Sequence, residues 1–509
     1  MPGTMFQICG DVEPLTLRDN QKRFQEVDMD TFTNRHCIPR YRLLDESQIL
    51  RIHHAVLRIL DEVGVRINHK EAVDLLTSHG GRIKDGNIVK IPSFLVEEAI
   101  ASAPSNLVIY NRKKEPVMEL GGRRIYFGTG TDLIKTIDLK TREIRDTKAD
   151  DILISTIISD AMPNIDFIGS YGLPKDIPPG LHYVRCFQLE IENSVKPVFF
   201  TAESQKDLRI ILDMAKVIAG DMDELSRYPF LINYSEPVSP LTHSKEALEK
   251  LIYCAQNRIP INYTPALLSV STGPVTLAGA LSVAVAEALS GLVIHQLVSK
   301  GAPIISGVAA TSMDMLHATA SYASPEFRLT HSAYADLFHY YNIPIWGTAG
   351  CSDAQFPDLQ VGAEYSFTLF NAALDGTNLI HDCGYMGQGF VAAPEMIIFA
   401  NEVIDMVKRY MKGFDIDEDH LALDVIKNVG PGGHFMQEKH TLDFFMEEHW
   451  RPAFFNRENL PNWIKKGKKT INEKLIEKAL DILKTHDPEP ISKDKKAELD
   501  KIWRNLNKK

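Results

Sequence analysis

The sequence predicts an α/β fold of the (β/α)8 TIM-barrel class, with a helical N-terminal extension over 1–120, the barrel over 121–415 and a helical C-terminal cap packed on it over 416–509. Three observations lead there. After the Gly121-Gly122 turn, eight short β-rich runs alternate with long amphipathic stretches. Strands separated by helices pair in parallel through crossovers. Eight such units suit a closed barrel, whereas the alternative, an open doubly wound sheet, needs edge strands, and Gly128-Thr129-Gly130 is too short a match to a dinucleotide fingerprint.

Taken in order, Ile49, Ile52, Val56, Ile59 and Leu60 recur at helical spacing, and helical text continues through 70–78 and 93–101. The eight strand runs are 124–127, 165–170, 197–201, 230–234, 261–264, 303–306, 343–347 and 379–382. Beyond Asp415 come a Gly-rich stretch, Val429-Gly-Pro-Gly-Gly-His434, and two helices over 472–483 and 495–506. No repeat or low-complexity linker divides the chain.

Bulk properties narrow the function. A net charge of -11 over 509 residues excludes a nucleic-acid partner, since the one basic run is Lys465-Lys466-Gly467-Lys468-Lys469. The six cysteines lack a C-x-x-C spacing, which argues against a disulfide framework or zinc knuckle, and no metal is expected. Without a signal-peptide pattern or a long uninterrupted apolar run, a cytoplasmic protein with no membrane association is expected. Homo-oligomerisation is left open.

Barrel chemistry sits at the C-terminal ends of the strands, so the residues there are the candidates. Phe127, Asp132, Tyr171, Glu203, Tyr234, Glu236, Tyr263 and Asp314 follow the first six strands; His381-Asp382-Cys383-Gly384-Tyr385 and Gln388 follow the eighth. Carboxylates interleaved with tyrosines surround a cation well, because ring faces and acid oxygens both attract an alkylated ammonium. The substrate-binding set is therefore Glu236, Asp382, Tyr234, Tyr263, Tyr385, Phe127, Asp132, Gln388 and Asp314, around a small methylated amine. The competing reading makes some of these rings core fillers and some of these acids helix caps. Cys351 and Cys383 follow late strands, but no partner that would make either a nucleophile can be assigned, and the catalytic residues stay unknown.

Several blocks carry a resemblance: Ser271-Thr-Gly-Pro-Val-Thr-Leu-Ala-Gly-Ala280, Val429–His434 with Glu438-Lys-His-Thr-Leu442, and Trp450-Arg-Pro452. Gly128–Asp132, Gly301–Ile305 and Gly347–Gly350 support them. The chain resembles the trimethylamine methyltransferase family from roughly residue 45 to 485. The resemblance implies a (β/α)8 enzyme with no permanently bound cofactor, passing a methyl group to the cob(I)alamin of a separate corrinoid protein. Gly432, Gly433 and His434 are expected to face that partner. The archaeal trimethylamine enzymes carry pyrrolysine, whereas this chain has only standard residues. It thus looks like the branch acting on quaternary amines such as glycine betaine, with one departure: Leu316 stands where some betaine-type relatives carry Arg. Two alternatives remain: a barrel enzyme demethylating another small amine, and a non-catalytic cytoplasmic amine-binding protein.

Overall fold

A computed structural model describes residues 36–506. They form two compact units, one built from Arg40–Met411 and the chain from Arg451 onward, the other from the segment ending at Pro39 and Lys412–Trp450.

The larger unit holds the barrel. Its strands are β1 (Tyr126–Phe127), β2 (residues 167–168), β3 (Val198–Thr201), β4 (Leu231–Ser235), β5 (Ile261–Tyr263), β6 (Ile304–Gly307), β7 (Ile345–Thr348) and β8 (Leu379–His381). Strands β3 to β8 pair in sequence order, all parallel, and β8 pairs with β1. The ring is completed by β2, where Phe167 bridges Gly128 and Ile168 bridges Val198. All eight runs expected from the sequence occupy the ring.

One long helix follows each strand: α1 (Ala149–Ala161), α2 (His182–Asn193), α3 (Gln205–Ala219), α4 (Lys245–Asn257), α5 (Leu277–Val298), α6 (Pro325–Tyr341), α7 (Leu359–Asp375) and α8 (Pro394–Lys412). Their boundaries are set locally. Ser204, Ser244, Ser324 and Asp358 accept backbone N–H groups at the starts of α3, α4, α6 and α7, and Gly376 ends α7 with φ +75°. Helix α5 is long and apolar enough to cross a membrane, but 78% of that window is buried in the protein, against helices Glu46–Arg58 and Ser93–Ser102 among others.

The N-terminal extension contains the expected helices Glu46–Arg58, Lys70–Ser78 and Ser93–Ser102, together with sheet that helical periodicity did not reveal. Val65–Ile67, Arg82–Asp85 and Ile88–Lys90 form a small sheet with Thr242–His243. Leu107–Tyr110 and Pro116–Leu120 form a hairpin. Its Leu107, Ile109, Met118 and Leu120 pack on the inward-facing Phe167, Phe199, Ile232, Ile305, Trp346 and Leu379. The Tyr110 N–H donates to Pro229 O (2.8 Å), just ahead of β4, and the Arg112 N–H to Val195 O (3.1 Å), ahead of β3. The hairpin therefore plugs the N-terminal end of the barrel, and access is left to the C-terminal end.

The stretch expected as one C-terminal cap is divided between the units. Helix Ile471–Thr485 packs on α1, and Lys493–Leu506 packs on α3 and α2; their buried faces hold Leu475, Ala479, Ile482 and Leu499. These helices lie along the outer helical layer. In the smaller unit, His36–Cys37 pairs antiparallel with Phe414–Asp415, and helices Leu423–Val429 and Lys439–Glu448 flank the Gly-rich loop.

Candidate active site at the barrel mouth

In a strand, side chains at i and i+2 share a face. Above the hairpin plug, the inward positions run Phe199 then Thr201 on β3, Ile232 then Tyr234 on β4, Trp346 then Thr348 on β7, and Leu379 then His381 on β8. The His381 ring lies 4.6 Å from Phe199 and 5.6 Å from Trp346 between centroids, and stacks on Tyr234 at 6.3 Å and 12°. Trp346 Nε1 and Thr348 Oγ1 are buried there without a hydrogen-bond partner among the described residues. Interior polar groups of this kind are normally satisfied, so they mark a place where a guest's polar atoms fit.

Beside this stack a cavity of about 460 Å³ opens over the C-terminal ends of β3 and β4. Asp132, Tyr183, Glu203, Tyr234, Glu236 and Lys250 are among its walls. Tyr234 Oη donates to Glu236 Oε2 (2.8 Å), Thr131 Oγ1 donates to Asp132 Oδ2 (2.6 Å), and the Tyr183 hydroxyl also acts on the Asp132 carboxyl. Glu236 is exposed and lines the cavity. Burial raises the carboxyls of both Asp132 and Glu236 above the usual carboxylate range, against the hydroxyl hydrogen bonds that lower them.

Asp382 and Tyr385 approach from β8. A Cβ on Gly130 would sit 2.3 Å from both Asp382 Oδ1 and Tyr385 Oη, so only glycine fits between them. Tyr385 donates to the Thr131 carbonyl, and His381 Nδ1 lies 2.5 Å from Asp382 Oδ1. Asp132 and Asp382 have φ of +78° and +77°, a costly conformation for residues with a side chain and one concentrated at functional sites.

Of the residues expected from sequence, Glu236, Tyr234, Asp132, Asp382 and Tyr385 therefore gather at the mouth. Four others do not join them. Tyr263 shares the outward face with Ile261: its hydroxyl meets His243 Nδ1 (2.7 Å) and its ring packs on Gly291 of α5. Phe127 also points outward, into the layer where Lys408 of α8 lies 5.8 Å from its ring centroid. Asp314 is exposed, accepting the N–H groups of Leu316 (2.9 Å) and His317 (2.8 Å) in a turn. Gln388 sits in a short turn at φ +60°, its N–H donating to Ser352 O (3.2 Å), and does not line the cavity. Cys351 and Cys383 are buried, and burial raises both thiols, which suits packing rather than attack.

Sequence reasoning passed over Phe199, Trp346, Tyr183 and Lys250 and gave His381 no role. Strand parity was the usable signal for three of them, since Tyr234 fixes the inward phase of β4 and the parallel register carries it to neighbouring strands. Among the described residues, no cluster of His, Cys, Asp and Glu is arranged to hold a metal ion. A second cavity of about 490 Å³, walled by Val361, Met396, Phe399, Phe454, Phe455 and Leu475, is apolar and lies outside the ring.

The family model described as trimethylamine methyltransferase matches residues 16–506. The chain belongs to the trimethylamine methyltransferase family. Within that family it is 34% identical over 447 residues to a trimethylamine methyltransferase of Desulfitobacterium hafniense strain DCB-2, covering 88% of this chain and 90% of the relative. It is 30% identical over 437 residues to a glycine betaine methyltransferase of D. hafniense strain Y51, covering 85% and 90%. Among solved structures it is similar to the monomethylamine methyltransferase of Methanosarcina barkeri, with a TM-score of 0.49 and 11% identity over 87% of this chain and 88% of that one. The family makes the chain a methylamine or betaine methyltransferase.

Proposed function

We propose that the chain moves a methyl group from a small quaternary, betaine-like amine to the cob(I)alamin of a separate corrinoid protein, working in the cytoplasm. The observation that carries this is the mouth cavity, where the Tyr234 ring, the Glu236 and Asp132 carboxyls and the His381 stack adjoin one another. The acids and ring faces attract a quaternary ammonium, at about 0.5–2 kcal/mol per cation–π contact.

Breaking one N–CH3 bond of such a cation leaves its electron pair on nitrogen and yields a neutral tertiary amine, while the methyl carbon bonds to the cobalt of the partner's corrinoid. No proton is needed, so the residues' task is alignment and water exclusion. A neutral amine would instead have to be activated. The cavity walls offer acids, hydroxyls, one lysine and one histidine, but no electrophile that could form an adduct with a neutral nitrogen. The relative named for trimethylamine makes that amine the second reading.

Gly432, Gly433 and His434 of the smaller unit are proposed to meet the corrinoid protein: they are exposed, and Gly432 adopts φ +82° with open space around it. The test is formation of methylcob(III)alamin from reduced corrinoid protein with glycine betaine, carnitine, γ-butyrobetaine, proline betaine, choline and trimethylamine in parallel. Turnover of quaternary amines without trimethylamine is expected. Turnover of trimethylamine alone overturns the quaternary assignment, and binding with no turnover across the panel favours an amine-binding protein.

A further inference from the structure

Lys250 lies on α4 with only 7% of its surface exposed, yet it lines the mouth cavity. Among the described residues its Nζ donates one hydrogen bond, to the Ala202 carbonyl at the end of β3 (2.7 Å). An ammonium has three donors, so two are unspent on this neutral partner. Burial lowers the Lys250 ammonium below its usual range, and Glu236, Asp132 and Asp207 favour its charged form through space rather than by hydrogen bonds. Each is already engaged: Glu236 by Tyr234, Asp132 by Thr131, and Asp207 by Ser204 at the start of α3. Burying a cation is costly unless it is paired, and this one faces the cavity with donors to spare.

The cavity walls therefore carry groups of both characters, with Lys250 within electrostatic reach of Glu236. Tyr234 and Glu236 suit an ammonium, and Lys250 suits an anion. Glu203 and Glu246 stand exposed on the same walls, so Lys250 is the one cationic side chain among the lining residues apart from His182. We infer that Lys250 is a specificity-determining residue, receiving a carboxylate borne on the same molecule as the ammonium held at Tyr234 and Glu236. This rests on the cavity being the amine site. It assigns the anion-binding role within this chain to a residue of α4 and makes a zwitterion the preferred guest over a simple cation.

Glycine betaine and choline share the trimethylammonium group and differ at a carboxylate against a hydroxymethyl group, so they isolate Lys250. Isothermal titration of the full chain should show glycine betaine binding at least about tenfold tighter than choline. Lys250→Gln should weaken glycine betaine about 30-fold or more and change choline less than about threefold. Lys250→Arg, which keeps the charge, should retain the preference and guards against misfolding in the Gln variant. Equal affinity of wild type for the two amines, binding of neither, or an equal loss of both in Lys250→Gln overturns the inference. Methylcob(III)alamin formation is scored separately: discrimination without turnover removes the methyl-transfer reading and leaves Lys250 in place, and turnover without discrimination does the reverse.

Discussion

Replacing Glu236 by Gln removes one negative charge from the mouth and little else. The Gln side-chain oxygen can still accept from Tyr234 Oη, which lies 2.8 Å from Glu236 Oε2, so the shape of the wall is preserved. A full charge roughly 5 Å from a quaternary nitrogen attracts it by about 3 kcal/mol at an effective dielectric of about 20. The cavity is open to water, and screening trims this to about 2 kcal/mol, or a Kd weakened about 30-fold. The pH dependence has a definite sign. Burial holds the Glu236 carboxyl above its usual range, and only the ionised form attracts the cation, so wild-type affinity strengthens as pH rises through that raised range. Asp132 is raised for the same reason and leaves a shallower slope in the variant. Isothermal titration of glycine betaine into wild type and Glu236→Gln from pH 5 to 8 measures both effects. An unchanged Kd at pH 8, or identical pH slopes, would refute the acidic wall of the site.

Three further outcomes follow from the packing. A Cβ at position 291 would fall 2.3 Å from the Tyr263 ring, so Gly291→Ala should destabilise the chain by about 1–2 kcal/mol even after the helix-propensity gain, while amine Kd stays unchanged; chemical denaturation with titration checks it, and an altered Kd would return Tyr263 to the mouth. Glu287, with its carboxyl raised to about 7 by burial, contributes stability that is present below about pH 4.5 and lost as pH rises through about 7; Glu287→Gln should flatten this, removing a difference of at most about 3 kcal/mol, as urea unfolding at pH 5 and pH 8 will show. At position 433 a Cβ would come 2.5 Å from the Val429 carbonyl oxygen, so Gly433→Ala must shift backbone. It should slow methyl transfer to the corrinoid protein severalfold without changing amine Kd, and an unchanged rate would make the loop a plain turn.

The sequence by itself determined the eight strands, their order and the end of the barrel that carries chemistry. Parallel strands buried on both faces read as short apolar runs between amphipathic helices, and each β-to-α turn exposes its polar residues at one end. That brings Glu236, Tyr234, Asp132, Asp382 and Tyr385 to the same end of the barrel, because each stands at or just beyond a strand end. What only the tertiary structure decided is which face each residue takes. Runs such as Leu379-Ile380-His381 and Ile261-Asn262-Tyr263 show no clean polar alternation, since barrel interior and helical layer are both largely apolar. Tyr263 and His381 are both last in their runs, yet Tyr263 shares the outward phase of Ile261 and His381 the inward phase of Leu379. The same limit hid the 107–120 hairpin, whose apolar residues find their partners in the barrel floor some 50 to 270 positions away. It also hid Lys250, a helix lysine by sequence, whose ammonium reaches the mouth only because α4 packs beside the end of β3. Local pattern fixes the elements, but the side-chain environment is set by contacts distant in the chain, which no local period records.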